Sequence, residues 1–304
     1  MWIEALAKLI CVGTGPPSAA AETPLPSKRA WNRTVQRLRY RTQSVGAAWE
    51  LWTDPSYRRL AASYELPGGY RRIYCYHIRK TAGTSLHLSF MALGGEDPLD
   101  VYRRIVSSRL HRTISGSYGF AAFNRGLLAK GAYFYGRSHR AAAAQPLPPK
   151  TFTITVPRDP IERVHSYFDY LVAGDDPAMP GPVAIAERQL AFDGFDAFME
   201  RVPREHLLAQ LAMFSDRFDV SEAAEQIGEC SSVFFTEDFS DGLVTLGGRL
   251  ELPLVARRAR VTGSRSSLTD RHRERLRVRL EPEYELLRHL DEGGIATIGS
   301  AKPQ

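Results

Sequence analysis

One unit, which occurs twice, limits what this chain can fold into more than any other feature. It is a short run of β-branched or aromatic residues, then a turn of small or charged residues, then an amphipathic segment. The first copy is "YCYHIRKTAGTSLHLSF" (74–90) and the second is "TFTITVPRDPIERVHSYFDYL" (151–171). A strand that feeds a helix through a tight turn builds a parallel sheet, because the helix returns the chain to start another strand alongside. Strands are predicted at 72–78, 132–136, 151–156 and 232–236. Helical periods fall between them at Leu86, Phe90 and Leu93, at Ile161, Val164, Phe168 and Leu171, and across 206–214. A long last helix is predicted over 268–290, with Leu276, Leu280 and Leu287 on one side. The expected class is α/β: a mostly parallel sheet flanked by helices on both faces, with its binding site at the carboxyl ends of the strands.

The 304 residues suffice for one sizeable core with extensions. Residues 1–30 read as a poorly ordered leader and linker, 31–66 as a helical N-terminal extension, 67–292 as the main domain and 293–304 as a tail. The net charge of +6 suits an anionic ligand. Only six of the forty basic residues are lysines, so Lys80 in the middle of the first turn stands out. Cys11, Cys75 and Cys230 give neither a disulfide framework nor metal-ligand spacing, which favours a reducing compartment. No apolar run approaches the roughly 20 residues of a membrane span. Residues 1–23 end like a signal-cleavage site, but Glu4 and Lys8 interrupt a very short apolar region. The expected location is cytoplasmic, ahead of secretion or membrane-surface association.

A helix N-terminus offers unpaired backbone N–H groups and the positive end of the helix dipole, and so binds phosphate or sulfate. In the first turn Gly83 permits close approach, Thr84 and Ser85 add hydroxyls and Lys80 adds charge. The P-loop pattern GxxxxGK[ST] is not present. The same residues also read as a plain capping turn, with Thr84 or Ser85 as N-cap and Lys80 solvated.

In the second unit Asp159 is a good N-cap and Pro160 fits the first helical position. The apolar stripe on the helix that follows leaves Ser166 on nearly the opposite face, beside Glu162. Arg158 at the strand end and Ser166 two turns along can then reach one anion, which arginine's fork suits. The alternative is that Arg158 or Arg163 forms surface ion pairs with Asp159 or Glu162.

Taken together, "HIRKTAGTSL" and "TFTITVPRDPIERVHSYF" resemble the sulfotransferases that use 3'-phosphoadenosine-5'-phosphosulfate (PAPS), in particular the carbohydrate and uronyl-type branch. That branch has a K-T-G-G-T-S loop and an R-D-P-x-x-R-x-x-S-x-Y block. The resemblance runs more weakly through "HLLAQLAMFS" (206–215) and "SSVFFTEDFSDGLVTLGGRLEL" (231–252), and covers roughly 70–290. It implies a P-loop-like sulfotransferase fold. It assigns the 5'-phosphosulfate loop to Lys80, Thr81, Ala82, Gly83, Thr84 and Ser85, and the 3'-phosphate pair to Arg158 and Ser166. Arg79 stands where the family usually has proline, and Pro157 before Arg158 is expected to end its strand early.

The resemblance implies in-line transfer of a sulfuryl group to a hydroxyl or amine, with Lys80 stabilising the leaving phosphate and no metal required. The acceptor proton needs a base. The uronyl-type enzymes carry it on a histidine in a G-H context before the R-D-P block. Here "AYFYGRSHRAAAA" offers His139 without that pair, and His139 is the first candidate. His77 reads as a packed structural histidine, His87 lies on the first helix, and Glu96 and Asp97 are weaker candidates. A late basic loop often covers the nucleotide in this family, which points to Arg260 and Arg265 in "RRARVTGSRSS" (257–267). The turn-rich segment 173–184 reads either as a lid or as a plain surface loop.

The acceptor class is a small-molecule, glycolipid or glycan hydroxyl, and nucleic acid is not an expected partner. The competing readings are a P-loop-like kinase or nucleotidase, which needs a Walker lysine and Mg²⁺ ligands, and a binding module for polyanions, which needs diffuse basic patches.

Overall fold

The computed structural model describes residues 60, 62–173, 185–257 and 266–295, all within the larger of two compact units, Tyr40–Gln304. The leader, the helix expected from residue 31, most of segment 173–184, and Arg260 and Arg265 lie outside the described residues.

In chain order the elements are β1 (Arg72–Tyr76), α1 (Gly83–Met91), α2 (Pro98–Ser107), β2 (Arg112–Ser115), β3 (Tyr118–Ala122), α3 (Arg125–Lys130), β4 (Tyr135–Ser138) and β5 (Thr151–Thr155). There follow α4 (Pro160–Ala173), α5 (Ile185–Arg188), α6 (Gly194–Arg201), α7 (Arg204–Leu207), α8 (Ala209–Phe214), α9 (Val220–Gly228), β6 (Ser232–Val233), α10 (Phe239–Leu250), α11 (Asp270–Arg279) and α12 (Glu281–Glu292).

The sheet order is β2-β3-β4-β1-β5-β6, parallel throughout except for the β2–β3 pair. β1 is central, with Ile73 opposite Tyr135 of β4 on one side and Phe152 of β5 on the other. Ile73, Cys75, Phe152 and Ile154 pack with α1, α2 and α10, whereas Ile78 and Val233 pack with α4, α6, α8, α9 and α12. Burial on both faces explains why the strands read as unbroken apolar runs, and the expected α/β class with a mostly parallel sheet is what the chain forms. Tyr64 and Leu66 are also buried in this core, Tyr64 accepting the Gly119 N–H on its hydroxyl at 2.8 Å. No helix among the described residues is long and apolar enough to cross a membrane.

All four expected strands form, with shifted ends. β5 stops at Thr155, as Pro157 predicts; the Pro157 carbonyl instead accepts the Thr236 N–H at 2.9 Å and so extends the link between β5 and the β6 chain. The sequence reading missed the β2–β3 hairpin, whose two-residue turn uses Gly116 at φ +54°. The helix expected over 268–290 is two helices, since Pro282 supplies no N–H and fits only the first turn of α12. Leu276 and Leu280 are nevertheless buried as the periodicity requires.

Candidate functional site

The loop after β1 turns on two left-handed residues that are not glycine, Lys80 (φ +69°) and Ala82 (φ +58°). Each costs on the order of 1 kcal/mol or more, and such strain persists only where the surroundings impose it. Thr81 locks the turn from inside: its side chain is buried and its hydroxyl donates to the Ile78 carbonyl at 3.0 Å. Gly83 is required by packing, because a Cβ there would lie 2.0 Å from the His77 imidazole.

Helix α1 starts at Gly83, and its N-cap is Ala82, which gives no side-chain cap. This corrects the plain capping reading. Thr84 and Ser85 lie inside the first turn of α1, past the N-cap position. The Lys80 ammonium lies 4.5 Å from the centre of the Tyr170 ring.

The second loop lies beside the first, since β5 neighbours β1 in parallel. The Arg158 guanidinium donates from Nη1 to the Lys80 carbonyl at 3.0 Å, joining the two turns directly. The Arg158 backbone is fixed by Gln210, whose Oε1 accepts the Arg158 N–H at 2.9 Å and whose Nε2 donates to the Arg158 carbonyl at 3.0 Å. Gln210 is anchored in turn by Glu283, which accepts from the Gln210 backbone N–H at 2.7 Å and from its side-chain amide at 3.1 Å.

Asp159 caps α4 as expected, accepting the Glu162 N–H at 2.9 Å. The α4 stripe of Ile161, Val164, Phe168 and Leu171 is buried, while Glu162, Ser166 and Tyr170 share the less buried face. Ser166 therefore lies on the same face as the tyrosine that Lys80 covers. Surface pairing does not describe Arg163. Arg163 is fully buried, forms an ion pair with Glu283 at 3.4 Å and donates to the His206 and Leu207 carbonyls. Arg79 forms an ion pair with Glu187 of α5 at 3.0 Å.

Beneath the first loop three histidines meet at the ends of β1 and β4. His87 on α1 bonds His77 Nδ1 through Nε2 at 3.0 Å and the Tyr135 hydroxyl through Nδ1 at 2.6 Å. Burial, followed by nearby positive charge and the other imidazoles, holds His77 and His87 well below the usual histidine range. His77 is thus a packed structural residue, as expected. His139 donates from Nδ1 to the His77 carbonyl at 2.7 Å, which leaves Nε2 with a lone pair. Its side chain is exposed, yet protein packed around it, together with Arg79, pushes it down to about 3. This imidazole is neutral at working pH. Next to it on β4, in place of a G-H pair, Gly136 is followed by the buried Arg137.

Glu96 and Asp97 serve other purposes: Glu96 pairs with Arg104 at 2.7 Å and Asp97 caps α2. A cavity of about 380 Å³ opens beside Ser85, lined also by Thr236, Glu237, Phe239, Asp241 and Arg257. Among the described residues no group of three or more His, Cys, Asp or Glu is placed to hold a metal ion.

Sequence reasoning missed Gln210, Glu283, Tyr170 and Arg137. The available signals were a polar residue in the apolar run "HLLAQLAMF" and a charge in the aromatic strand "YFYGRS". No family model matches the chain, and no curated protein matches it.

Proposed function

We propose that the chain is a sulfotransferase that moves the sulfuryl group of PAPS to a hydroxyl or amine of a carbohydrate or small molecule. The observation that carries this reading is the hydrogen bond from Arg158 to the Lys80 carbonyl, which joins the two turns after neighbouring parallel strands. A nucleotide with phosphates at both ends needs two such points. The chain's donors suit that group: the N-terminus of α1 and an ammonium in one turn, a guanidinium and the Ser166 hydroxyl at the other, and a cavity beside Ser85 large enough for part of a nucleoside.

When bound, PAPS supplies a sulfuryl group on a phosphate that leaves readily. Lys80 and the α1 amides stabilise the negative charge that grows on that phosphate as its S–O bond breaks. Arg158 and Ser166 hold the far phosphate and fix the donor in line. His139 takes the acceptor proton on Nε2, its Nδ1–H being committed to the His77 carbonyl.

Calorimetry with the desulfo product PAP, without magnesium, tests the reading. Tight binding that weakens at least tenfold in Lys80→Ala and in Arg158→Ala supports it. Binding of ATP only with Mg²⁺, and no binding of PAP, overturns it in favour of phosphoryl transfer.

A further inference from the structure

Arg137 is unlike the other cations of this fold. Its side chain is 2% exposed, and its Nε and Nη2 are enclosed without a hydrogen-bond partner. No described carboxylate reaches it. Its neighbours are the rings of Tyr102 and Phe123, whose centres lie 5.0 and 4.8 Å from Cζ, and three imidazoles that stay neutral. Aromatic faces ease the burial of a guanidinium but supply neither counter-charge nor acceptor oxygens.

The two unbonded nitrogens are those whose N–H bonds run parallel along one edge of the guanidinium. That edge grips a carboxylate or a sulfate with two bonds at once.

Phe123 is the partly exposed residue packed against this guanidinium. It holds a left-handed backbone (φ +58°), which is costly for a bulky residue, and its partly exposed ring lies over Arg137 and 5.7 Å from the His139 ring. Residues 137 and 139 are two apart on one strand and its continuation, so they face the same side.

We infer that Arg137 anchors an oxyanion carried by the acceptor, a carboxylate or a sulfate ester, and that the preferred acceptors are therefore acidic molecules. The word acceptor rests on the sulfotransferase reading; the anion site does not. An acceptor held by its charge at Arg137 presents a neighbouring hydroxyl to Nε2 of His139, and Phe123 swings aside to admit it.

The test uses the full chain and ligand-observed NMR with three probes, glucuronate, glucose 6-sulfate and glucose, with PAP calorimetry in parallel. The expected result is that at least one charged sugar binds tenfold or more tightly than glucose. Arg137→Gln should remove that preference while PAP affinity stays within about twofold. Preference for glucuronate alone identifies the carboxylate, and for glucose 6-sulfate alone the sulfate ester. Phe123→Ala, which leaves the cation in place, should tighten the charged sugar and leave glucose unchanged. Equal binding of all three sugars overturns the inference, as does a charge preference that survives in Arg137→Gln or a Phe123→Ala chain with no change. A chain that prefers the charged sugar but ignores PAP keeps the anion site and overturns the sulfotransferase reading. One that binds PAP without the preference does the reverse.

Discussion

The side-chain amide of Gln210 holds the Arg158 backbone from both directions, accepting its N–H at 2.9 Å and donating to its carbonyl at 3.0 Å. This pairing replaces the ladder bonds the strand loses at Pro157, and it aims the guanidinium at the neighbouring loop. Gln210→Leu keeps the volume but leaves two backbone groups unpaired, a loss of about 1–3 kcal/mol in stability. PAP affinity should fall about tenfold even where the variant is fully folded, read by calorimetry below its melting range. An unchanged affinity would mean that Arg158 is held by other means.

Glu283 and Arg163 form a buried ion pair that joins α12 to α4. Glu283→Ala strands a buried guanidinium and should cost about 3–5 kcal/mol in urea unfolding. Replacing both, as Arg163→Met with Glu283→Leu, should recover much of that loss. PAP binding should stay weak in the double variant, because Gln210 has lost its anchor. Full recovery of both stability and binding would show that Glu283 has no positioning role.

Gly83→Ala places a Cβ where the His77 ring already lies. The variant should lose PAP binding by at least tenfold, and adding His77→Ala should restore part of it by removing the obstructing ring. If the single variant binds like the wild type, the loop does not need the close approach seen here.

His77 and His87 are both held well below 6.5 in the folded chain, first by burial. Below about pH 6.5 the unfolded chain therefore binds protons that the folded chain refuses. Stability should be intact above that pH and fall as pH drops, by up to about 2.7 kcal/mol per unit for two protons. Urea unfolding at pH 7.5, 6.5 and 5.5 measures the slope. His87→Gln should roughly halve the part that these two histidines supply.

What the sequence revealed of the site was what is local. The strand–turn–helix units, the N-cap at Asp159 and the early end of β5 all follow from residues a few positions apart. Glycine, hydroxyls and a lysine within six residues made the first turn readable as an anion loop. That the two turns touch was not local: it rests on β1 and β5 being neighbours, which only the sheet order shows.

The supports were not legible, because their partners lie far off in sequence. Gln210 serves a backbone 52 residues away and Glu283 serves Gln210 across 73. Only tertiary packing says that a glutamine in an apolar helix is bonded rather than exposed. The hairpin was missed because "RTISGSYGFAA" alternates weakly, with small residues on both sides of the turn.

The two borders of the sheet have a consequence for how the chain survives in concentrated solution. One border is the four-residue β2, which opens on Arg112, and the other is the two-residue β6. Neither offers more than a few free rungs on which a foreign strand can zip itself. The apolar, β-prone sequence of the four inner strands is thereby kept away from the template that fibrils and strand-swapped aggregates need, and the loop-bearing end of the sheet can stay open without the lateral edges becoming sticky.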